Sequence, residues 1–252
     1  MSVREAPADS LAAAVYDEAW RKKLNADAEA IAALLPVDLR EVHEIVVERA
    51  QRTGANALIL SGSTVRGCRT EISDLDYHLV GRKIETRDLP RELDLHVLSK
   101  EKLDSDVLAG DDFVQWSLRF GCVSFDDGTV RRALELIKHS QPWPDVGRKR
   151  EHAAKSLELA RRFVTTGDLD GALVQVRTAL SLTARARLLS EGVFPLARAE
   201  LPAQLASIGY ETAAGRLSAT IYDSPSLTDL GAAVRSGEEV LAAVAEKPAA
   251  RS

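Results

Sequence analysis

A strand-length apolar segment, a Gly-Ser turn and a later Asp-x-Asp pair together constrain most strongly how this chain can fold. The apolar segment covers residues 57–60 and leads into Gly62 and Ser63. Asp74 stands eleven residues after Ser63 and is followed at the second position by Asp76. Because side chains alternate along a strand, Asp74 and Asp76 are predicted to leave the same face of a sheet.

Three further segments have the pattern of a β-strand. Apolar and polar residues alternate over 75–80 and again over 93–98. A fourth strand is predicted at 121–125, before the turn Asp126-Asp-Gly128. If the third strand pairs beside the second, Asp94 joins the other two aspartates on their face.

Three converging carboxylates beside a turn of small residues suit phosphoryl or nucleotidyl transfer. This chemistry depends on positioned phosphates and neutralised charge, and two Mg²⁺ ions held by carboxylates can supply both. Mg²⁺ prefers oxygen ligands and keeps several waters, so two or three aspartates suffice. Asp74 and Asp76 are predicted to bind the ions. Asp94 is predicted to bind the catalytic ion and to lie near the attacking hydroxyl, whose proton it can accept.

The turn and the link after it supply the remaining candidate residues. Gly62 permits close approach of the backbone to a phosphate, and Ser63 adds a hydroxyl donor. Arg66 and Arg69 are predicted to clamp a triphosphate, and Ser73 is predicted to orient the loop that carries Asp74.

Two histidines near the acids are assigned to packing. His78 and His96 are predicted to lie on the opposite strand face from the aspartates. No His/Cys spacing in the chain resembles a zinc site, and Cys68 and Cys122 are too few for a disulfide framework.

The chain is predicted to form an α+β domain followed by an all-α helical bundle, with the boundary at Pro142-Trp143-Pro144. The α+β domain, residues 38–141, is expected to hold a mixed sheet of about four to five strands flanked by helices. Residues 1–37 are predicted to form an N-terminal helical extension, with a helix over 11–35, and Asp38 is predicted to cap the next helix. The bundle covers 145–246, with helices predicted at 147–165, 168–190, 198–208, 210–221 and 227–246.

Composition narrows the class of protein. The hydrophobic fraction of 45% supports a sizeable core, and no apolar stretch is long enough to suggest a membrane span. The first ten residues lack a secretory signal pattern, so a cytoplasmic location is expected. The net charge of −5 argues against a broad nucleic-acid surface. A homodimer is left open.

The combined motif resembles the DNA polymerase β-like nucleotidyltransferase superfamily. The superfamily's mark is an apolar residue with Gly-Ser or Gly-Gly, a linker, and Asp-x-Asp, which Ser61-Gly62-Ser63 and Ser73-Asp74-Leu75-Asp76 match. The third strand acid of the superfamily corresponds to Asp94. The resemblance covers residues 38–140, and the segment 113–128 looks like that of small prokaryotic members. The helical region is similar in kind to the C-terminal bundle of antibiotic (aminoglycoside) nucleotidyltransferases.

The resemblance implies magnesium-dependent transfer of a nucleoside monophosphate from a nucleoside triphosphate, with ATP expected, to a hydroxyl of a small molecule. The expected acceptor is an aminoglycoside-like antibiotic. The expected role is therefore in antibiotic resistance. The helical region is then the acceptor-binding domain. The proton acceptor is Asp94 or a carboxylate of the bundle, such as Glu151 or Glu158.

Three other readings stay open. The first is a nucleotidyltransferase-like antitoxin or partner-binding protein that nucleotidylates or holds another protein. The second is an RNA end-modifying enzyme, which the acidic balance of the chain disfavours. The third is a catalytically inactive relative, against which the three intact acids argue.

Overall fold

The computed structural model describes residues 28–70, 73–140 and 142–244. The chain divides into two compact units, and the division falls between Pro144 and Asp145. The predicted N-terminal helix falls mainly outside the described residues, which include only its last part, α1 (Ala28–Leu34). None of the helices in the described part of the chain is both long and apolar enough to cross a membrane.

The first unit contains a four-stranded mixed sheet. Its strands are β1 (Ala57–Leu60), β2 (Leu75–Val80), β3 (Leu93–Leu98) and β4 (Cys122–Asp126). They lie in the order β3-β2-β1-β4. β1 is antiparallel to β2 and to β4, whereas β2 and β3 are parallel. The first three strands have the predicted bounds. The third strand pairs beside the second, which is the condition under which Asp94 is expected to share a face with the other acids.

Helices cover both faces of this sheet. They are α2 (Val37–Arg52), the one-turn α3 (Gly62–Val65), α4 (Lys100–Leu108), α5 (Asp112–Phe120) and α6 (Thr129–Ser140). α4 is not among the predicted elements. It begins because the Ser99 hydroxyl accepts a hydrogen bond from the amide of Lys102, 3.1 Å away, as an N-cap residue does.

The prediction that Asp38 caps the second helix is wrong. α2 begins one residue earlier, at Val37, and Pro36 occupies the N-cap position without a side-chain hydrogen bond. Asp38 lies instead in the first turn, where a carboxylate interacts favourably with the positive end of the helix dipole.

The strand pleat separates two apolar layers. Ala57 and Ile59 stand opposite Val80 and His78 in the β1–β2 register, so these four side chains share one face. That face packs on an apolar core of the first unit, to which α4, α5 and α6 contribute buried residues, among them Leu103, Val107, Val114, Leu118 and Ile137. On the other face the Tyr77 hydroxyl lies 2.7 Å from Nδ1 of His43 in α2.

The described residues of the second unit form helices that are joined by turns and loops, with no strand among them. It contains α7 (Val146–Thr166), α8 (Leu169–Ser190), a short 3₁₀ turn (Arg198–Glu200), α9 (Leu201–Ser207), α10 (Glu211–Tyr222) and α11 (Leu227–Ala242). These bounds agree with the predicted helices to within about two residues, except that 198–200 is 3₁₀ and that α11 ends at Ala242. The unit has its own apolar core, built around residues such as Leu157, Leu180, Leu188, Leu217 and Leu230.

The fold is therefore α+β with a mostly helical C-terminal part, as predicted. The assignment of the second unit to acceptor binding stays a prediction.

Candidate functional site

The turn after β1 begins with a backbone link to the second strand. The amide of Ser61 donates to the carbonyl of Asp76 over 2.8 Å. Gly62 follows with a φ of +73°, a conformation that L side chains rarely adopt, and it opens α3. The Gly-Ser turn and the start of β2 are thus held side by side.

The carboxylate of Asp76 occupies the space that a side chain at Gly62 would fill. A Cβ added at Gly62 would lie 1.7 Å from Oδ2 of Asp76 and 2.7 Å from its Cγ. No other residue type could stand there without displacing the acid. The predicted glycine and the second predicted aspartate are therefore in direct contact.

Asp76 and Asp94 stand next to each other on neighbouring strands. They are partners in the parallel register of β2 and β3, so their side chains leave the same face of the sheet, and the two strands are about 4.8 Å apart. Asp76 is half-buried, whereas Asp94 is exposed. The predicted arrangement of these two acids on one face is present.

Asp74 lies one residue before β2 and is exposed. Arg69 binds this segment, because its Nη1 donates to the carbonyl of Asp74 over 3.0 Å. Within the described residues no group of three or more His, Cys, Asp or Glu side chains is arranged so that it could hold a metal ion. The structure pairs Asp76 with Asp94 and leaves Asp74 on the adjoining loop.

Ser73 organises the end of the link. Its hydroxyl accepts from the amide of Thr70 over 2.9 Å and lies 3.0 Å from the Thr70 hydroxyl. Ser63 is half-buried in α3, and its carbonyl accepts from the amide of Cys68 over 3.1 Å. These local bonds fold the link back on itself on either side of residues 71 and 72, which lie outside the described part.

Arg66 is positioned by an aromatic ring that the sequence did not single out. Its guanidinium carbon lies 5.0 Å from the ring centroid of Phe120, at the end of α5. The guanidinium of Arg119 lies 5.2 Å from the same centroid, and the ring of Trp116 stands 5.1 Å from it. Two cations therefore lie over one ring, which is an attractive interaction for each of them. No sequence spacing links Arg66 to α5; only the packing of the helix does so.

The prediction that His78 and His96 lie on the face opposite the acids is wrong. Both histidines stand two residues after an aspartate on the same strand, so the pleat puts them on the face of Asp76 and Asp94. They are partners in the β2–β3 register, and their ring centroids are 5.2 Å apart. The two acids and the two histidines form two successive rows on one face.

His78 joins α5 to the sheet. It is buried, and its Nδ1 lies 2.7 Å from the hydroxyl of Ser117 in α5. Burial, with a smaller contribution from the charge of His96, lowers the pKa of His78 to about 3. At neutral pH the ring is uncharged, and it serves as a packed, hydrogen-bonded core group behind the acids. The prediction of a packing role agrees with this environment, although the face was misassigned.

No protein family and no curated protein matches this sequence. Among solved structures, a nucleotidyltransferase-like protein from Exiguobacterium sibiricum 255-15 aligns over 79% of this chain and 73% of its own, with 17% identity and a TM-score of 0.38. A similarity this distant carries no argument about activity or site residues.

Proposed function

We propose that this protein is a magnesium-dependent nucleotidyltransferase that moves a nucleoside monophosphate from a triphosphate to a hydroxyl of a small molecule. The observation that carries the proposal is the pairing of Asp76 with Asp94 in register, beside a glycine turn that touches Asp76. This places an acidic pair against the open backbone of a Gly-Ser turn. It is the arrangement that a charged phosphate chain with a divalent cation requires.

The donor set fits Mg²⁺. Asp76 and Asp94 offer carboxylate oxygens from adjacent strands, whereas Asp74, on the loop before β2, does not join them in a group of three. Mg²⁺ binds in proteins through one or two carboxylates together with waters and substrate phosphates, so these residues suffice to hold it. When bound, the ions would neutralise the charge that develops on the transferred phosphoryl group.

The turn and the link would hold the triphosphate. Gly62 has no side chain to keep a phosphate away from its backbone, and the Ser63 hydroxyl can donate to a phosphate oxygen. The guanidinium of Arg66 is already held over Phe120. Contact with a phosphate would therefore cost this side chain less conformational entropy. Arg69 holds the carbonyl of Asp74, and a guanidinium has further N–H groups with which to contact a phosphate. Ser73 would keep the Asp74 segment in place through Thr70.

The acceptor would approach from the β3 side of the site. In-line displacement puts the attacking oxygen opposite the leaving pyrophosphate. The Gly-Ser turn follows β1, on one side of β2, and β3 lies on the other. Asp94 is exposed on that far strand, where it can accept the proton of the hydroxyl. We propose an aminoglycoside-like acceptor and ATP as the donor.

A thermal-shift panel tests the proposal. ATP, GTP, CTP and UTP would each be added, with and without Mg²⁺, to the native protein and to Asp76→Asn and Asp94→Asn. A triphosphate at about one hundred times its Kd stabilises the native state by about 2.7 kcal/mol. We expect stabilisation by at least one triphosphate, only with Mg²⁺, and its loss in both variants.

The control is Asp38→Asn, an exposed aspartate in the first turn of α2. It removes the same charge away from the site and should respond to the triphosphate as the native protein does. If no triphosphate stabilises the native protein in the presence of Mg²⁺, the proposed function is wrong. A positive result would be followed by measurement of pyrophosphate release with a panel of aminoglycosides.

A further inference from the structure

An aromatic ring stands open beside the acidic pair. Phe113, in the first turn of α5, is 44% exposed although it is a large apolar side chain. Its centroid lies 4.5 Å from that of His78 and 5.1 Å from that of His96. The planes of Phe113 and His96 meet at 88°, an edge-to-face contact. The two imidazoles thus support the phenyl ring from the sheet while part of it stays in contact with solvent.

This ring lies one row of side chains behind the acids. His96 follows Asp94 by two residues on the same face of β3, and His78 follows Asp76 in the same way on β2. Two residues of a strand span about 7 Å. A ribose sets a nucleobase apart from its α-phosphate by a comparable distance.

Phe113 differs from the other aromatic groups near the site. Trp116 is buried, and Phe120 is half-buried beneath the guanidinium of Arg66. Among the described residues of the first unit, Phe113 is the one Phe, Tyr or Trp side chain in the exposed class. A ligand could therefore stack on the Phe113 ring without displacing a neighbouring side chain.

We propose that Phe113, supported by His96, is the platform on which the base of the nucleoside triphosphate stacks. This inference rests on the proposed function, and it assigns the position of one part of the substrate. The phosphates would lie at the Gly62-Ser63 turn, the α-phosphate at Asp76 and Asp94, and the base over Phe113. Every nucleobase has a π face, so a stacking platform accepts all four bases, with purines favoured by their larger area.

Calorimetric titration with two ligands separates the base from the phosphates. Mg²⁺–ATP carries both, whereas Mg²⁺–tripolyphosphate carries the phosphate chain alone. Native protein, Phe113→Ala and Phe113→Trp would be titrated with each. We expect Phe113→Ala to bind ATP about tenfold more weakly, the loss typical of one stacked base, and to bind tripolyphosphate as the native protein does. Phe113→Trp should retain ATP affinity.

The matched control is Leu108→Ala. Leu108 is 52% exposed on α4, so its truncation also removes an open apolar side chain from the first unit, and both affinities should stay unchanged. Equal ATP affinity in native protein and Phe113→Ala would overturn the platform while leaving the proposed function standing. An equal loss of both ligands in Phe113→Ala would also overturn it, because the phosphate chain does not need the ring. Native protein that binds neither ligand would overturn the proposed function and the platform together.

Discussion

The carboxylate of Asp76 lies against the bare Cα of Gly62, so closely that a Cβ at Gly62 would fall 1.7 Å from Oδ2 of Asp76. The two residues are far apart in sequence, and the backbone bond from Ser61 to the Asp76 carbonyl holds their strands together. The Gly-Ser turn and the acidic strand therefore form one structural unit. A substitution in the turn should therefore displace the acidic strand, and a substitution in the strand should displace the turn.

We expect Gly62→Ala to destabilise the protein strongly and to abolish triphosphate binding. Alanine at a φ of +73° costs about 1–2 kcal/mol. The new methyl group would also displace the carboxylate of Asp76, so the total cost should exceed that of the backbone alone. Urea denaturation gives the free energy of unfolding, and the thermal-shift panel reports triphosphate binding.

Gly67→Ala is the control for this effect. Gly67 has a φ of +66° and lies in the same link, but a Cβ there would meet no atom within 4 Å. It should carry only the backbone cost of about 1–2 kcal/mol. If the two alanine variants unfold at the same urea concentration, the close contact between Gly62 and Asp76 is wrong.

Stability is expected to fall below neutral pH partly because of His43. Burial lowers the pKa of His43 below its ordinary value of 6.5, so the folded state stays uncharged where the unfolded chain already binds a proton. The contribution of the uncharged His43 ring to the free energy of unfolding is complete above pH 6.5 and is lost as the pH falls below that value. One such group contributes a slope of at most about 1.4 kcal/mol per pH unit.

The comparison is between the native protein and His43→Gln, each unfolded in urea at about pH 7.5 and about pH 5.5. The variant should be less stable at the higher pH, since it loses the bond between His43 and the Tyr77 hydroxyl. It should also lose less stability on acidification. His78 acts in the same direction in both proteins, so parallel pH profiles would contradict the assignment to His43.

Ser117→Ala is expected to cost about 1–3 kcal/mol, because it removes the close partner of a buried histidine nitrogen. The Nδ1 of His78 lies 2.7 Å from the Ser117 hydroxyl and otherwise only 3.5 Å from that of Ser61. Ser207→Ala, an exposed serine at the end of α9, should change the free energy of unfolding by less than about 0.5 kcal/mol. Equal midpoints of thermal unfolding for the two variants would show that the Ser117 bond does not tie α5 to the sheet.

The connection between β2 and β3 is expected to open more readily in Asp88→Asn. Arg49 binds both carboxylate oxygens of Asp88, at 2.7 and 2.6 Å, and its Nη1 also donates to the carbonyl of Glu85. The pair lowers the pKa of Asp88 to about 2. Trypsin should cleave after Arg82, Lys83 or Arg87 faster in the variant than in the native protein.

The effect on this connection should depend on salt. At about 1 M ionic strength, where the screening length falls to about 3 Å, the pair should weaken in part, and cleavage of the native protein should be faster than at low salt. Asp106→Asn, which removes the ion pair with Lys102 inside α4, is the control and should leave the rate unchanged. A native rate that does not respond to salt would contradict a role for the Arg49–Asp88 pair.

Local pattern was enough to locate the strands and the acids. A short apolar run placed β1 at its observed bounds. Alternation placed β2 and β3 at theirs, because side-chain alternation is a property of any extended backbone. The same alternation puts His78 on the face of Asp76 and His96 on the face of Asp94. The placement of the two histidines is therefore contained in the sequence, and the prediction of the opposite face is wrong.

Tertiary structure alone decided which groups surround the acids. The parallel register of Asp76 with Asp94 depends on how residues 81–92 return the chain, and the sequence left that pairing conditional. The contacts of Arg66 with Phe120, of Ser117 with His78 and of Phe113 with His96 arise from where α5 packs on the sheet. The backbone geometry of a strand fixes which of its side chains share a face, and a short window of sequence shows this. The neighbours of a residue in space depend on how apolar surfaces from distant segments pack together, and no short window of sequence contains that information.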